Sequence, residues 1–350
     1  MVNLLLFPIS ALLSLIMKLR RYFFNLKGRV SYNKPIIGVG NLCVGGSGKT
    51  PHVEYLIRLL SKDNNVTTLS RGYGRLTKGF LFADSKSTVY QVGDEPLSYY
   101  KKYPSISVAV CEDRVLGINT ILQKIPDTDV IILDDAYQHL QVKAGLNILL
   151  TDYYHIYPKD YVIPMGRLRE PMSAAKEADI IIVTKCPKVF TGIEEQFLRE
   201  KIQILPHQKL YFSYIEFGKL QPLTTPAMQI NSASIRSVVS ITGIANPYPF
   251  LEYIREHYSE IQELTFPDHH RFTRNDLEKT KQYFHRSLSR QAAIFTTEKD
   301  AVRLKADYLD DIVSQLPIFF LPIEVKFPAR FKQEFENQII DYVTKNKRNR

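Results

Sequence analysis

The sequence predicts an α/β protein: a mostly parallel sheet domain built around a phosphate-binding loop, and a second, smaller α/β domain joined to it by a β-ribbon. Three observations carry this. Short apolar runs that read as buried strands alternate with stretches of helical spacing, the order that yields a parallel sheet with helices on both faces. A glycine-rich turn ending in Gly48-Lys49-Thr50 stands between the first apolar run and the first helical stretch. Beyond His207 the alternation stops, a stretch containing Pro222 and Pro226 intervenes, and strand–helix order restarts at Ser237. The 350 residues allow two ordinary domains of roughly 150 residues each, and 45% apolar with 23% charged residues is the balance of a globular chain with sizeable cores. The expected organisation is an N-terminal helix over residues 1–30, a loop-bearing sheet domain over 31–207, an extended ribbon over 208–236 and a C-terminal α/β domain over 237–350.

The chain opens on Val2 to Met17, which is almost wholly apolar and interrupted by Pro8. It is short of the ~20 residues a membrane-crossing helix needs. No Asp or Glu precedes Glu54, whereas Lys18, Arg20, Arg21, Lys27, Arg29 and Lys34 all do. A cleavable leader carries its basic residues first; here they follow. Two readings fit: a helix lying in a membrane interface with its basic skirt on anionic headgroups, or a helix packed on the protein's own core. A net charge of +10 favours anionic partners, namely phosphates, acidic lipid or nucleic acid. Cys43, Cys111 and Cys186 are too scattered for a zinc knot or a disulfide framework, as expected in a reducing compartment.

Next comes Pro35 to Val39, a short buried strand, then the turn Cys43-Val44-Gly45-Gly46-Ser47-Gly48-Lys49-Thr50, then Val53, Leu56, Ile57 and Leu60 at helical spacing. This is the recipe for a phosphate cradle. Glycines let backbone N–H groups wrap a β-phosphate, the helix N-terminus adds its dipole, Lys49 reaches β/γ oxygens and the Thr50 hydroxyl takes a Mg²⁺ position. The usual pattern has glycine where Cys43 stands; Gly45-Gly46 matches a double-glycine variant instead.

Val66 to Leu69 reads as the second strand and ends in Ser70-Arg71-Gly72-Tyr73-Gly74-Arg75, which faces the loop's rim in a doubly wound sheet. Arg71 and Arg75 are either phosphate clamps or solvated loop charges. Asp94 and Glu95 stand at a helix start, where capping competes with chemistry as their reason. Ser107 to Val110 is a strand. The run Asp129 to Asp135 is a buried apolar strand ending in Asp134-Asp135, the form of a Mg²⁺-holding acidic strand tip. Asn147 to Leu150 and Ile180 to Val183 complete the first sheet. In the second half, strands at Ser237, Ile261–Phe266 and Ala292–Thr296 alternate with helices near Tyr248–His257, Arg274–Arg286 and Ala329–Thr344, followed by a basic tail over 345–350. Pro267-Asp268-His269-His270 offers vicinal histidines for acid/base work or phosphate binding. No further cluster of ligand spacing supports a metal there.

GNLCVGGSGKTP, SRGYGR, VGDEP, LDDAYQH, PMGRLREP, FPDHH and TTEKDAVRL occur in this order across nearly the whole chain. In them the sequence resembles the tetraacyldisaccharide 4′-kinase family of lipid A biosynthesis. Two small departures are Cys43, where Thr or Ser is expected, and Ala136-Tyr137, where Gly-Phe is usual. The resemblance implies a phosphate-loop kinase with two α/β domains and a β-ribbon. Such an enzyme takes ATP and Mg²⁺ and phosphorylates the 4′-hydroxyl of a tetraacylated glucosamine disaccharide 1-phosphate at the cytoplasmic face of the bacterial inner membrane. It implies Asp94 as base poised by His270 or His269, Lys49 on the phosphates, and Glu95, Asp134 and Asp135 with Thr50 around Mg²⁺. Arg71, Arg75, Arg167 and Arg169, with His269, become candidates for the substrate's phosphate. A nucleic acid or an obligate protein partner is not implied.

Other classes of function fit less. A guanine-nucleotide switch needs N/T-K-x-D after a late strand; Thr184-Lys185 is present, but Pro187 stands in the aspartate's place. A membrane-associated phosphate-loop ATPase acting as a partner-binding switch is the alternative. A non-enzymatic membrane or nucleic-acid binder explains the positive charge but not the loop with its acidic strand.

Overall fold

The computed structural model describes residues 5–287 and 291–347. The ends of the expected N-terminal helix and basic tail, residues 1–4 and 348–350, lie outside them. The chain divides into two compact units: residues 1–85, 99–215 and 325–350 form the first, and 86–98 with 216–324 the second.

The first unit holds an eight-stranded sheet of β1 (Ile36–Asn41), β2 (Val66–Ser70), β3 (Leu81–Phe82), β4 (Ser107–Val110), β5 (Val130–Asp134), β6 (Leu146–Asp152), β7 (Ile180–Thr184) and β8 (Lys209–Phe212), in the order β3-β4-β2-β5-β1-β6-β7-β8. Every pairing is parallel except β3 with β4. Such strands are covered on both faces, which is why β1, β2, β5 and β7 are buried throughout. Alternate side chains feed two cores. Ile37, Val39, Val130 and Ile132 meet Val53, Leu56, Ile57 and Leu60 of the Lys49–Leu60 helix, whereas Ile36, Leu69, Ile131 and Leu133 meet Ile118 and Ile121 of the Arg114–Lys124 helix. That last helix is started by Asp113, whose Oδ1 accepts the N–H groups of Val115 and Leu116 at 2.9 and 3.0 Å. Because β1 lies between β5 and β6, the chain leaves it to build on one side and later returns to build on the other, and the crevice at this switch point is where such sheets take ligands.

After β8 the chain runs into β9 (Tyr214–Phe217). The second unit contains β10 (Gln221–Pro222), β11 (Ser237–Thr242), β12 (Glu260–Thr265), β13 (Ala292–Thr297) and β14 (Ile318–Leu321), ordered β10-β14-β13-β11-β12 and parallel except at the β10 edge. β15 (Ile323–Lys326) pairs with β9 in a separate two-stranded sheet, where the chain passes out of the first unit and back again.

This organisation differs from the linear one in three places. The 208–236 connector is shorter than expected: Lys209–Phe212 is an edge strand of the first sheet, and Gln221–Pro222 already belongs to the second. Residues 86–98 group with the second unit. The last helix, Ala329–Lys347, belongs to the first, because Phe331, Phe335, Ile339 and Val343 bury one face against Tyr211, Phe212 and Tyr55. Amphipathic spacing shows that a helix has a buried face; it does not show which core receives it.

The Phe7–Lys27 helix is not buried as a core helix. Phe7, Ile9, Leu12, Leu15, Ile16, Leu19, Tyr22, Phe23 and Leu26 are exposed, and only Ser10 and Arg21 are buried. Arg21 is not a free basic side chain, as the skirt reading supposed. It donates to Glu170 at 2.7 Å, Glu177 at 2.8 Å and the Tyr137 carbonyl at 2.7 Å, and Arg29 adds a second cation on Glu177 at 2.7 Å. Arg21 ties the helix, and Arg29 the segment just after it, to the rest of the first unit. Among the described residues no helix is long and apolar enough to cross a membrane.

Candidate active site

Two polar constellations stand out, one in each unit. In the first unit the phosphate loop leaves the C-terminal end of β1 and enters the Lys49–Leu60 helix. Gly48 precedes that helix at φ 83°, a left-handed conformation that disfavours a side chain. Gly40 is required by closeness: a Cβ there would stand 2.8 Å from the Tyr137 ring and 3.1 Å from its backbone nitrogen. That approach brings the Asp134-Asp135 tip of β5 beside the loop.

Asp135 is the hub. Its Oδ1 is 3.5 Å from Lys49 Nζ and also receives Arg169, whose other Nη donates to Oδ2 at 3.1 Å. Asn41, the last residue of β1, accepts from Lys49 Nζ at 3.2 Å and from Arg169, and donates to the Cys43 carbonyl at 2.7 Å. Burial pushes the Asp135 carboxyl up, but the Lys49 and Arg169 charges outweigh it and hold it below the usual range. The residue sits at φ 57°, strain that the surrounding bonds maintain. Asp134 is buried; its Oδ2 accepts the Tyr99 hydroxyl at 3.0 Å and its carbonyl accepts Arg114 Nη2 at 3.0 Å. Burial lowers the Arg114 guanidinium to about 10, and burial together with Arg114 and Arg71 lowers His139 to about 4, so His139 is a neutral imidazole at pH 7.

Thr50, Asp134 and Asp135 supply a hydroxyl and two carboxylates, the hard oxygen donors that suit Mg²⁺, which takes one or two carboxylates and keeps the rest of its shell for water and phosphate. Glu95, expected with them, lies in the second unit and pairs with Lys299 at 3.2 Å. Among the described residues no group of three or more His, Cys, Asp or Glu side chains forms a metal cage.

The expected phosphate-binding arginines separate by environment. Arg75 is nearly inaccessible, donating to Glu112 and to the Gly79 carbonyl, each at 2.6 Å; it braces its own turn. Arg169 serves Asp135. Arg71 and Arg167 are exposed, the latter in a segment that exchanges backbone bonds with the phosphate loop: Val44 N–H to the Arg167 carbonyl, and Arg169 N–H to the Leu42 carbonyl, both 2.7 Å. That adjacency had no signal in the linear sequence.

In the second unit the Asp94 carboxylate is buried and pinned. Arg303 donates to Oδ2 from Nη2 at 2.5 Å and from Nε at 3.2 Å, His269 Nδ1 is 3.3 Å from the same oxygen, and Lys299 Nζ is 3.9 Å away. Oδ1 accepts the Glu95 N–H at 2.9 Å. Burial pushes this carboxyl up, but the His269 hydrogen bond and the Lys299 and Arg303 charges reverse that and hold it well below the ordinary range. Arg303 is itself oriented by Asp300 and the Gly243 carbonyl, both at 2.8 Å.

His270 does not meet Asp94. Its Nε2 is 3.0 Å from Asp276 Oδ2, the carboxylate that closes the capping box of the Arg274–Arg286 helix, and its ring stacks on Phe266 at 4.5 Å. The neighbour that reaches Asp94 is His269, held at φ 57°. Two adjacent residues with different backbone conformations point apart, and composition alone could not tell them apart. Arg303 and Lys299 were missed, whereas His269 was one of the two histidines named; the signal for the missed pair was the Lys299-Asp300-x-x-Arg303 spacing on one short helix.

The model of the tetraacyldisaccharide-1-P 4′-kinase family matches residues 2–340. The chain is similar to the tetraacyldisaccharide 4′-kinase of Phocaeicola vulgatus, 42% identical over 99% of this chain and 97% of that one. It is also similar to that of Flavobacterium johnsoniae, 43% identical over 98% and 97%. Among solved structures, LpxK of Aquifex aeolicus, crystallised in complex with ATP, matches with a TM-score of 0.72 and 28% identity, over 98% of this chain and 99% of that one.

Proposed function

Because this chain belongs to the tetraacyldisaccharide-1-P 4′-kinase family, we propose that it is a lipid kinase that transfers the ATP γ-phosphate to the 4′-hydroxyl of a tetraacyl glucosamine disaccharide 1-phosphate. The observation that carries the reading is the Lys49–Asp135–Arg169 hub at the mouth of the phosphate loop. It gathers cations where a polyphosphate needs them and a carboxylate where a cation bridging its oxygens needs one. Thr50, Asp134 and Asp135 are the residues that would hold Mg²⁺, which when bound neutralises the phosphate oxygens. Lys49 balances the β/γ charge.

Asp94 receives the acceptor hydroxyl. A carboxylate whose affinity for protons is depressed is a poor base but a good fixed acceptor, and phosphoryl transfer through a loose transition state asks mainly for orientation. His269, on the same carboxylate oxygen, helps to hold that orientation. Arg71 and Arg167, exposed and cationic, suit the substrate's 1-phosphate.

The proposed place of action is the cytoplasmic face of the bacterial inner membrane. The exposed apolar residues of the Phe7–Lys27 helix support it, since a substrate anchored by acyl chains is reached from the lipid surface. The test is ATP-dependent label transfer to a purified tetraacyl disaccharide 1-phosphate, with water-only ATP hydrolysis as control. Hydrolysis without transfer is the result expected of a partner-binding ATPase instead.

A further inference from the structure

The Thr184-Lys185 pair, which fails as a guanine-binding motif, has another place in the fold. It lies at the tip of β7 against the back of the phosphate loop. Lys185 Nζ donates to the Gly46 carbonyl and is anchored by Asp152 at 2.7 Å; the Thr184 hydroxyl donates to the Ser47 carbonyl at 2.9 Å. On the helix side, His52 Nδ1 is 2.7 Å from the Gly48 carbonyl. A carbonyl only accepts, so Nδ1 carries the proton; Nε2 is then the acceptor for the Ser213 hydroxyl at 2.9 Å. Three consecutive loop carbonyls are therefore each held from outside by a different side chain.

We propose that Lys185, Thr184 and His52 form an outer clasp that presets the phosphate loop, acting as positioning residues for nucleotide binding. A peptide unit is planar, with C=O and N–H opposed. Fixing the Ser47 and Gly48 carbonyls outward turns the Gly48 and Lys49 amides the other way, toward the concave side where a phosphate sits. Holding the Gly46 carbonyl acts one peptide earlier, on the turn that the Ser47 N–H closes onto the Gly45 carbonyl at 3.0 Å, and so fixes where those two amides start. Preset amides lose little conformational freedom on binding, and that gain appears as affinity. Lys185 itself stands at φ 58°, an unusual conformation for a lysine, maintained where its ammonium bridges Asp152 and the loop. Thr184 is fully buried and His52 nearly so, so neither has a solvent role.

The inference rests on reading the loop as the nucleotide site, and the test separates the two. Mg²⁺–ATP affinity by calorimetry, KM and kcat for lipid transfer, and apo melting temperature are measured for Lys185→Met, Lys185→Arg, Thr184→Val, Thr184→Ser, His52→Asn and Lys49→Ala. Loss of a charge-assisted bond predicts roughly a tenfold rise in KM for ATP in Lys185→Met with little change in kcat or melting temperature. Lys185→Arg and Thr184→Ser, which keep the donors, stay near wild type, as does His52→Asn, whose amide nitrogen replaces Nδ1. Unchanged ATP affinity in Lys185→Met and Thr184→Val, with Lys49→Ala inactive, overturns the clasp alone. A Lys49→Ala variant that binds ATP and transfers normally overturns the loop reading and the clasp with it. Lys185 is partly exposed, so its variants fold even if Thr184→Val does not.

Discussion

Arg303 holds Asp94 by a single carboxylate oxygen: Nη2 and Nε lie 2.5 and 3.2 Å from Oδ2, while Asp300 grips the far side of the same guanidinium. Burial alone would favour a protonated Asp94; the cations around it keep it a carboxylate. Replacing Arg303 by Met removes one of those cations. The acid limb of the pH–kcat/KM profile then moves to higher pH, and Arg303→Lys moves it less. Breaking one side of a buried pair also costs about 3–5 kcal/mol, which Asp94→Asn in the same chain partly restores. An acid limb that stays in place in Arg303→Met refutes the assignment.

On the proposed reading of the loop, Lys49→Ala removes the charge that faces the polyphosphate. Transfer falls by at least about 10³-fold if electrostatic stabilisation is its role, while the circular dichroism spectrum stays that of the native fold. Thr50→Ala chiefly raises the Mg²⁺ concentration needed for half-maximal activity. Near-normal transfer by a well-folded Lys49→Ala protein excludes the site.

The stability of the first unit falls on mild acidification. Burial lowers His52 to about 4, and burial with the Arg114 and Arg71 charges lowers His139 to about 4, against 6.5 for a free imidazole. Between those values the unfolded chain binds more protons than the folded one, so stability is fully present above pH 6.5 and is lost as pH falls toward 4. Each group contributes on the order of 3 kcal/mol across that window. Urea titrations at about pH 7 and about pH 4.5 measure it, and His52→Asn flattens the dependence. A slope that His52→Asn leaves unchanged means that this imidazole is not its source.

Vesicle flotation tests the N-terminal helix. Leu12→Ser, Leu15→Ser and Phe23→Ser each lower partition into anionic vesicles, by about tenfold if most of the side chain enters lipid. Lys18→Glu and Lys27→Glu lower it modestly and in a salt-sensitive way. Arg21→Glu behaves differently: it destabilises the protein, because Arg21 is committed to Glu170 and Glu177. Unaltered flotation in the three serine variants removes the helix from membrane contact.

Local patterns carried the elements well. Val66, Ser107, Asn147, Ile180 and Ser237 begin strands within a residue of where their apolar runs begin, and Tyr248–His257 and Arg274–Arg286 are the helices their spacing predicts. Pairing across the chain was not legible. Nothing near Arg169 announces Asp135, nothing near Asp94 announces Arg303, and the last helix gives no sign that its phenylalanines return to the first core. Motif spacing named the phosphate loop and the acidic strand because their chemistry is local. Which arginine braces a turn, as Arg75 does, and which stays exposed, as Arg167 does, depends on partners many residues away.

The pair His269 and His270 gives the most discriminating experiment. His269 Nδ1 lies 3.3 Å from Asp94 Oδ2, and its Nε2 is 3.4 Å from Lys299 Nζ; His270 is bonded to Asp276 and stacked on Phe266. His269→Ala therefore lowers kcat by roughly 10²-fold while ATP affinity and melting temperature stay near wild type. His270→Ala lowers the melting temperature, since Asp276 loses a partner at the start of the Arg274–Arg286 helix, and changes kcat little. Combining His269→Ala with Asp94→Ala costs less than the product of the single effects, because residues that act on one hydroxyl as a unit are not additive. Combining His270→Ala with Asp94→Ala is multiplicative. A reversed pattern, with His270→Ala epistatic to Asp94→Ala and His269→Ala additive, would give the catalytic role to His270 and overturn the geometry-based assignment.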